Sequence, residues 1–215
     1  TIMLFFGQFF SKKWLIIGGA VFIFFVTFAV PLLSARGMID QSSMERATFW
    51  GEANYVFKEH PLFGVGYAIL STDYMDKDRA VHNSFINCYA SIGTFGYFFW
   101  FSLLCLAFFG NWYISEMKPE TKEEKALVRV ARWMVPCLGG YYTAAYFLTR
   151  TFHLPFFLLM GISAALYRLA AERVGIDRIN DKMHMVHNKF WHWLALTPAS
   201  IAFIYVSILI INKMR

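Results

Sequence analysis

The sequence predicts an all-α membrane protein, and three observations lead to this prediction. Of its 215 residues, 58% are hydrophobic and 20% are aromatic, which is more apolar surface than the core of one soluble domain can bury. Only 16% are charged, whereas soluble domains average about 25%. The apolar residues are gathered into five long stretches without Asp, Glu, Lys or Arg. We therefore expect a polytopic helix bundle with about five transmembrane helices, forming a single membrane domain over residues 1–215.

The predicted spans follow these uncharged stretches. About 20 helical residues cross the hydrocarbon core of a bilayer. Two of the stretches are shorter and are separated by Arg150 alone, which predicts a helical hairpin whose turn holds Arg150, His153 and Pro155. The five spans are residues 14–33, 84–112, 133–149, 151–167 and 190–212.

The basic residues predict an orientation, because short loops rich in Lys and Arg are retained on the cytoplasmic side. Twelve of the 20 Lys and Arg residues lie in the segment up to Lys13, in the 115–132 loop and in the 168–189 loop. The long 34–83 loop would then be extracytoplasmic. With the basic residues placed in this way, the net charge of +6 requires no nucleic-acid partner, and we expect none.

The N-terminal residues suggest a larger protein. The chain starts at Thr1, and the apolar run at residues 2–10 is too short to cross a membrane. We expect this run to be the end of a preceding span, and the chain to be the C-terminal portion of a longer protein.

The 34–83 loop is the only sizeable polar segment outside the predicted spans, and it begins with a helix signal. Residues 42–45, SSME, fit a capping box, and the proline that follows His60 should end the helix near residue 59. Arg46 and Trp50 are four residues apart and share a helix face. We expect an amphipathic interfacial helix with Arg46 facing an anionic head group, and a helix that only binds membrane lipid is the alternative.

Two further parts of the loop follow this helix. Gly64 and Gly66, in the sequence PLFGVG, allow a tight turn that another segment can approach closely. The acidic stretch DYMDKD at residues 73–78 could bind a hard cation, but it lacks the spacing of a calcium loop and carries its own lysine. We interpret it as a solvated loop and expect no metal site.

His82 and Asn83 stand where the loop joins the second predicted span. An imidazole at the mouth of a helix bundle can accept a proton from a hydroxyl near neutral pH. The alternative is an interfacial histidine bonded to a lipid head group or a backbone carbonyl. Gly93 and Gly96 follow within the span, and their spacing predicts a shared helix face against which another helix packs closely.

These elements, taken in order, resemble the O-antigen ligase and polymerase superfamily. The resemblance is carried by Arg46 with Trp50, by the PLFGVG turn, and by the pattern HN-x9-GxxG that starts at His82. It covers roughly residues 42–110. The superfamily includes lipopolysaccharide O-antigen ligases, O-antigen and exopolysaccharide polymerases, and bacterial protein O-oligosaccharyltransferases.

The resemblance implies an inverting glycosyltransferase of the bacterial inner membrane that needs neither a metal nor another cofactor. Such an enzyme moves a glycan from a polyprenyl diphosphate carrier to an acceptor hydroxyl on the outer face of that membrane. It would serve lipopolysaccharide or polysaccharide biosynthesis. Ligase and polymerase stay open as activities, and the acceptor is a lipid, a glycan or a protein.

The resemblance also implies roles for individual residues. His82 would be the general base that removes the acceptor proton. Arg46 and Arg79 would bind the diphosphate, since a guanidinium is always charged and its planar donors match phosphate oxygens. Four further residues would shape the substrate pocket, namely Trp50, Asn83, Gly64 and Gly66.

Two hypotheses from other classes remain. In a transporter module, His82, Arg150 and His153 would line a polar pathway through the membrane. In a purely structural subunit, the chain would pack against a partner through small residues, which are Gly93, Gly96, Gly139 and Gly140.

Overall fold

The structure is a computed structural model that describes residues 41–67, 69–74, 80–175 and 190–213. These ranges contain six helices and no strand, which confirms the all-α class. The predicted span at 14–33 and Arg79 lie outside the described residues. The helices are α1 (Gln41–Glu59), α2 (Ile69–Thr72), α3 (Ser84–Glu116), α4 (Lys122–Phe147), α5 (Leu154–Val174) and α6 (Phe190–Lys213).

Two of the described helices, α3 and α5, are long and apolar enough to cross a membrane. In α6 the apolar part is the shorter stretch Leu194–Ile210. Helix α4 starts at Lys122 and carries Glu123 and Glu124 in its first turn, so most of the predicted 115–132 loop is helical. Helix α5 likewise continues to Val174, into the predicted 168–189 loop.

Helices α4 and α5 form the predicted hairpin, but Pro155 lies outside its turn. Helix α4 ends at Phe147 and α5 begins at Leu154, which leaves residues 148–153 as a short turn that contains Arg150 and His153. Pro155 lies in the first turn of α5, where its missing N–H costs nothing. We call residues 148–153 the hairpin turn.

One end of the helix bundle collects basic residues. Arg132 of α4 donates from Nε to the carbonyl of Ser115 at 3.3 Å, and Arg173 of α5 pairs with Glu123 of α4 at 2.8 Å. The C-termini of α3 and α5 therefore lie beside the N-terminus of α4. We call this end, which holds the cations of residues 118–132 and 168–173, the basic end. The sequence predicts that these cations lie on one side of the membrane.

The opposite end holds the N-terminus of α3 and the hairpin turn. The hydroxyl of Ser84 donates to the carbonyl of Leu148 at 2.6 Å. Because α3 and α4 run antiparallel, His82 and the hairpin turn lie a full helix length away from the basic end. We call this end the turn end.

Helix α3 is broken at Gly93, where φ is 66° and ψ is −175°. An unbroken helix of 33 residues would be about 50 Å long, whereas a hydrocarbon core is about 30 Å thick. The segment after the break, residues 94–116, is about 35 Å long and matches a membrane span by itself. Gly93 is not helical, so the prediction that it shares a helix face with Gly96 is wrong.

The PLFGVG turn at residues 61–66 fills this break. A break leaves backbone N–H and C=O groups without helical partners, and buried groups of this kind need others. The turn supplies them through four hydrogen bonds. They run from Val65 N to Ala90 O at 3.3 Å, Gly66 N to Ser91 O at 2.7 Å, Thr94 N to Pro61 O at 2.8 Å and Phe95 N to Leu62 O at 3.1 Å.

Two glycines make this close approach possible. Gly64 has φ of 67°, and a β-carbon on it would lie 2.5 Å from the carbonyl of Ser91. A β-carbon on Gly93 would overlap the carbonyl of Leu62. The PLFGVG segment at residues 61–66 and the GTFG segment at residues 93–96 are separate motifs in the sequence. In the fold they form one structural unit.

Helix α1 confirms the helix predicted over residues 42–59, but its surroundings differ from the prediction. Phe49, Ala53 and Val56 are buried in one cluster with residues of α3 and α6, so protein rather than membrane surface covers this apolar face. Buried Asn54 links the three helices, since it accepts from Tyr89 Oη and donates to the carbonyl of Tyr205. The side chains of residues 41–44, on which the capping box depends, lie outside the described part.

The break in α3 gives a stability prediction. Gly93→Ala should destabilise the protein by about 2 kcal/mol or more. Positive φ with ψ near 180° is a backbone region that essentially only glycine adopts, and it costs other residues roughly 1–3 kcal/mol. The added β-carbon would also overlap Leu62. Thermal unfolding in detergent measures the effect.

Gly139→Ala is the matched control for this measurement. Gly139 is helical and has no atom within 4 Å of a β-carbon, so alanine should be neutral or stabilising by up to about 1 kcal/mol. Equal unfolding temperatures for Gly93→Ala and the unmodified protein would show that the turn does not constrain the break.

Candidate functional site

His82 lies at the turn end in an unusual backbone conformation. Its φ is 50°, which lies in the left-handed region. Few residues other than glycine adopt this region, and histidine is one of those that adopt it more often than most. The imidazole is half-buried. Its backbone N–H donates to Oγ1 of Thr149 in the hairpin turn at 2.9 Å. His82 is therefore held by a residue 67 positions further along the chain.

Asn83 caps α3. Its Oδ1 accepts from the backbone N–H groups of Phe85 at 2.9 Å and Ile86 at 3.1 Å, which satisfies two of the free donors of the first helical turn. The side chain is fully buried, and its Nδ2 has no hydrogen-bond partner in the described part of the chain. The cap is sufficient to explain why an asparagine stands at position 83. Its role in shaping a substrate pocket stays a prediction.

The hairpin turn is tied to the first turn of α3. Ser84 Oγ donates to Leu148 O and accepts from Arg150 N at 2.7 Å. Thr151 Oγ1 donates to Ser84 O and accepts from Asn87 Nδ2, both at 3.0 Å. No sequence signal points to Ser84, Thr149 and Thr151, because these partners are 64 to 67 residues apart and no local pattern connects them.

Arg150 directly follows Thr149, the residue whose hydroxyl bonds to the His82 backbone. The backbone of Arg150 is fixed on both sides, because its N–H donates to Ser84 and its carbonyl accepts from Tyr141 Oη at 2.9 Å. Its side chain is exposed and forms no ion pair with the described residues. The turn end therefore offers a guanidinium that is available for an anion.

Trp50 ties α1 to the residue before His82. Its Nε1 donates to the carbonyl of Val81 at 2.7 Å, and its ring meets Tyr146 edge-on at 6.3 Å. Arg46 lies one helical turn earlier on the same face of α1 and is half-buried. The structure thus docks the helix that carries Arg46 beside the segment that carries His82.

Gly64 and Gly66 lie elsewhere. They belong to the turn that fills the break in α3, where Gly66 bonds to Ser91. Ser91 is eight residues beyond Asn83, which is about 12 Å along the helix axis. The structure accounts for both glycines through backbone packing, and their predicted contact with substrate stays untested.

The residues gathered at the turn end suit one kind of chemistry. A half-buried imidazole can accept a proton, and guanidinium groups bind phosphate oxygens. Within the described ranges, no three His, Cys, Asp or Glu side chains are grouped in a way that could bind a metal ion. The turn end thus combines the half-buried His82 with cations supplied by two separate segments, α1 and the hairpin turn, and the hairpin turn also carries exposed His153.

Comparison with known proteins adds no family to this description. No protein-family model matches the sequence, and no curated protein or solved structure is significantly similar to it. The resemblance to the O-antigen ligase and polymerase superfamily therefore rests on the sequence pattern alone, and the chemistry on the residues of the turn end.

Proposed function

We propose that this chain is a membrane glycosyltransferase that moves a glycan from a polyprenyl diphosphate carrier to an acceptor hydroxyl. The observation that carries the proposal is the placement of His82. Its imidazole is half-buried at the end of a helix bundle, and its backbone segment is bonded to α1, which carries Arg46, and to the hairpin turn, which carries Arg150. This supports the pattern of one base with phosphate-binding cations that the resemblance implies.

The reaction needs little beyond these groups. A diphosphate is already a good leaving group, so the enzyme has to hold it and to activate the acceptor. His82 accepts the proton of the acceptor hydroxyl as its oxygen attacks the anomeric carbon. The bond from that carbon to the diphosphate oxygen breaks on the opposite face, which inverts the anomeric centre. The departing negative charge stays beside Arg46, and Arg79 is its proposed second partner.

The proposed setting is the bacterial inner membrane, with about five spans in this chain and with the turn end on the extracytoplasmic side. Two apolar helices support a membrane location. The cations gathered at the basic end support the orientation, because short basic segments stay in the cytoplasm. A lipid-linked donor would then reach His82 at the outer face, and the acceptor is a lipid, a glycan or a protein.

The role of His82 is tested by His82→Asn. Asparagine also tolerates the left-handed backbone, so the fold should be kept while the base is lost. We expect transfer of a radiolabelled lipid-linked glycan to fall by about 10²- to 10⁴-fold, with an unchanged membrane level of the protein on immunoblots.

His60→Ala is the control, since His60 is exposed at the end of α1 and contacts Tyr74 instead. It should leave transfer unchanged. Full activity of His82→Asn would remove the general base from the mechanism.

The role of Arg46 is tested by Arg46→Ala. Loss of a charge-assisted contact of about 1.5–3 kcal/mol should weaken transfer by about 10- to 100-fold. The effect should be largest at low donor concentration. Arg129→Ala removes an exposed arginine at the basic end and should transfer normally. If both variants behave alike, Arg46 does not bind the diphosphate.

The orientation is tested with single cysteines placed at two exposed positions, His153→Cys in the hairpin turn and Lys118→Cys at the basic end. Cys88, Cys105 and Cys137 are first replaced by alanine. An impermeant maleimide should label His153→Cys in intact spheroplasts and Lys118→Cys only after lysis. The reverse pattern would place the turn end in the cytoplasm and contradict transfer at the outer face.

A further inference from the structure

We propose that the hairpin turn orients His82 and that Thr149 is a positioning residue of the site. The catalytic consequence of this inference rests on the proposed function. The hydrogen bond by which Thr149 holds His82 does not. The starting observation is the 2.9 Å hydrogen bond from the backbone N–H of His82 to Thr149 Oγ1. The sequence pattern that suggests His82 as a base contains no residue of the hairpin turn.

The bond matters because of the backbone conformation of His82. The direction in which a side chain leaves the backbone depends on φ. At φ of 50°, the imidazole of His82 leaves in a different direction from the one that an extended backbone would give it. A left-handed non-glycine residue costs roughly 1–2 kcal/mol. Such a conformation persists only where the surrounding contacts hold it.

Three consecutive residues are held here, each by a different partner. The carbonyl of Val81 accepts from Trp50 of α1. The N–H of His82 donates to Thr149. Asn83 is fixed by its cap on α3. The bond to Thr149 is the only one of these contacts that acts on His82 itself, so it holds the middle of the segment.

Thr149 can hold His82 because its own backbone is held on both sides. The carbonyl of Leu148 and the N–H of Arg150 both bond to Oγ of Ser84, at 2.6 and 2.7 Å. Ser84 stands two residues after His82, so each segment fixes the other. Oγ1 of Thr149 is thereby placed opposite the His82 N–H without freedom to follow it if the segment moves.

The hairpin between α4 and α5 is therefore part of the site. A loosened turn lets His82 leave its left-handed conformation, and the imidazole then spends less time facing the acceptor. Misplacement of a catalytic group by about 1 Å can cost 10²-fold in rate. Arg46 lies on α1 and not in the hairpin turn, so kcat should fall by a larger factor than KM for the donor rises.

Thr149→Val tests the inference, because valine keeps the shape of threonine and removes the acceptor. Thr149→Ala is a second removal, and Thr149→Ser restores the hydroxyl. In the full chain in detergent, amide hydrogen exchange at His82 should be about 2- to 10-fold faster in the Val and Ala variants. In the transfer assay, kcat should fall about 10- to 100-fold, with a smaller change in KM. Serine should restore both values.

Thr143→Val is the matched control. Its hydroxyl donates to the carbonyl of Gly139 within α4 at 2.9 Å and does not reach the turn. The same chemical change at this position should leave exchange at His82 and kcat unaltered, whatever it does to the unfolding temperature.

Two results would overturn the inference. Unchanged amide exchange in both removal variants would show that Thr149 does not hold His82. Faster exchange together with wild-type kcat would show that the held conformation has no catalytic role. If the unmodified protein transfers no glycan from the lipid-linked donor, the proposed function fails, and amide exchange alone then decides whether Thr149 holds His82.

Discussion

Backbone groups freed at two places along α3 need hydrogen-bond partners, and the rest of the turn end is arranged around them. At the break near Gly93, the turn at residues 61–66 supplies both donors and acceptors. At the helix start, Asn83 accepts from two N–H groups, and Thr151 of the hairpin turn donates to the carbonyl of Ser84. An unpaired buried N–H or C=O is costly. Helix α3 therefore determines where two separate loops lie, and with them the position of His82.

This arrangement places His82, the proposed base, where several elements contact the same short segment. Three segments distant in sequence converge on residues 81–84, namely α1 through Trp50, α3 through its cap, and the hairpin turn through Thr149. Each contributes a contact that limits movement of His82. The two described arginines at this end, Arg46 and Arg150, come from different segments. The candidate site is therefore shared among several elements.

Several features were predictable because their causes are local. The helix over residues 41–59 follows from a start signal and a proline, and the turn near Arg150 follows from two apolar runs interrupted by one charge. The break at Gly93 was not predictable in this way. Its GxxG spacing is equally typical of a helix face packed against another helix, and only the turn at residues 61–66 decides between the two.

The sequence by itself determined the helical class and the two strongly apolar helices. It also determined that the cations of the basic end lie away from the candidate base His82. These features depend on composition and on spacing along one chain. Tertiary structure decided that Gly64 and Gly66 serve the break in α3, that α1 is covered by protein, and that Ser84, Thr149 and Thr151 belong beside His82. The reason is physical. A hydroxyl and the backbone group that it satisfies can be 67 residues apart, and only folding brings them within 3 Å.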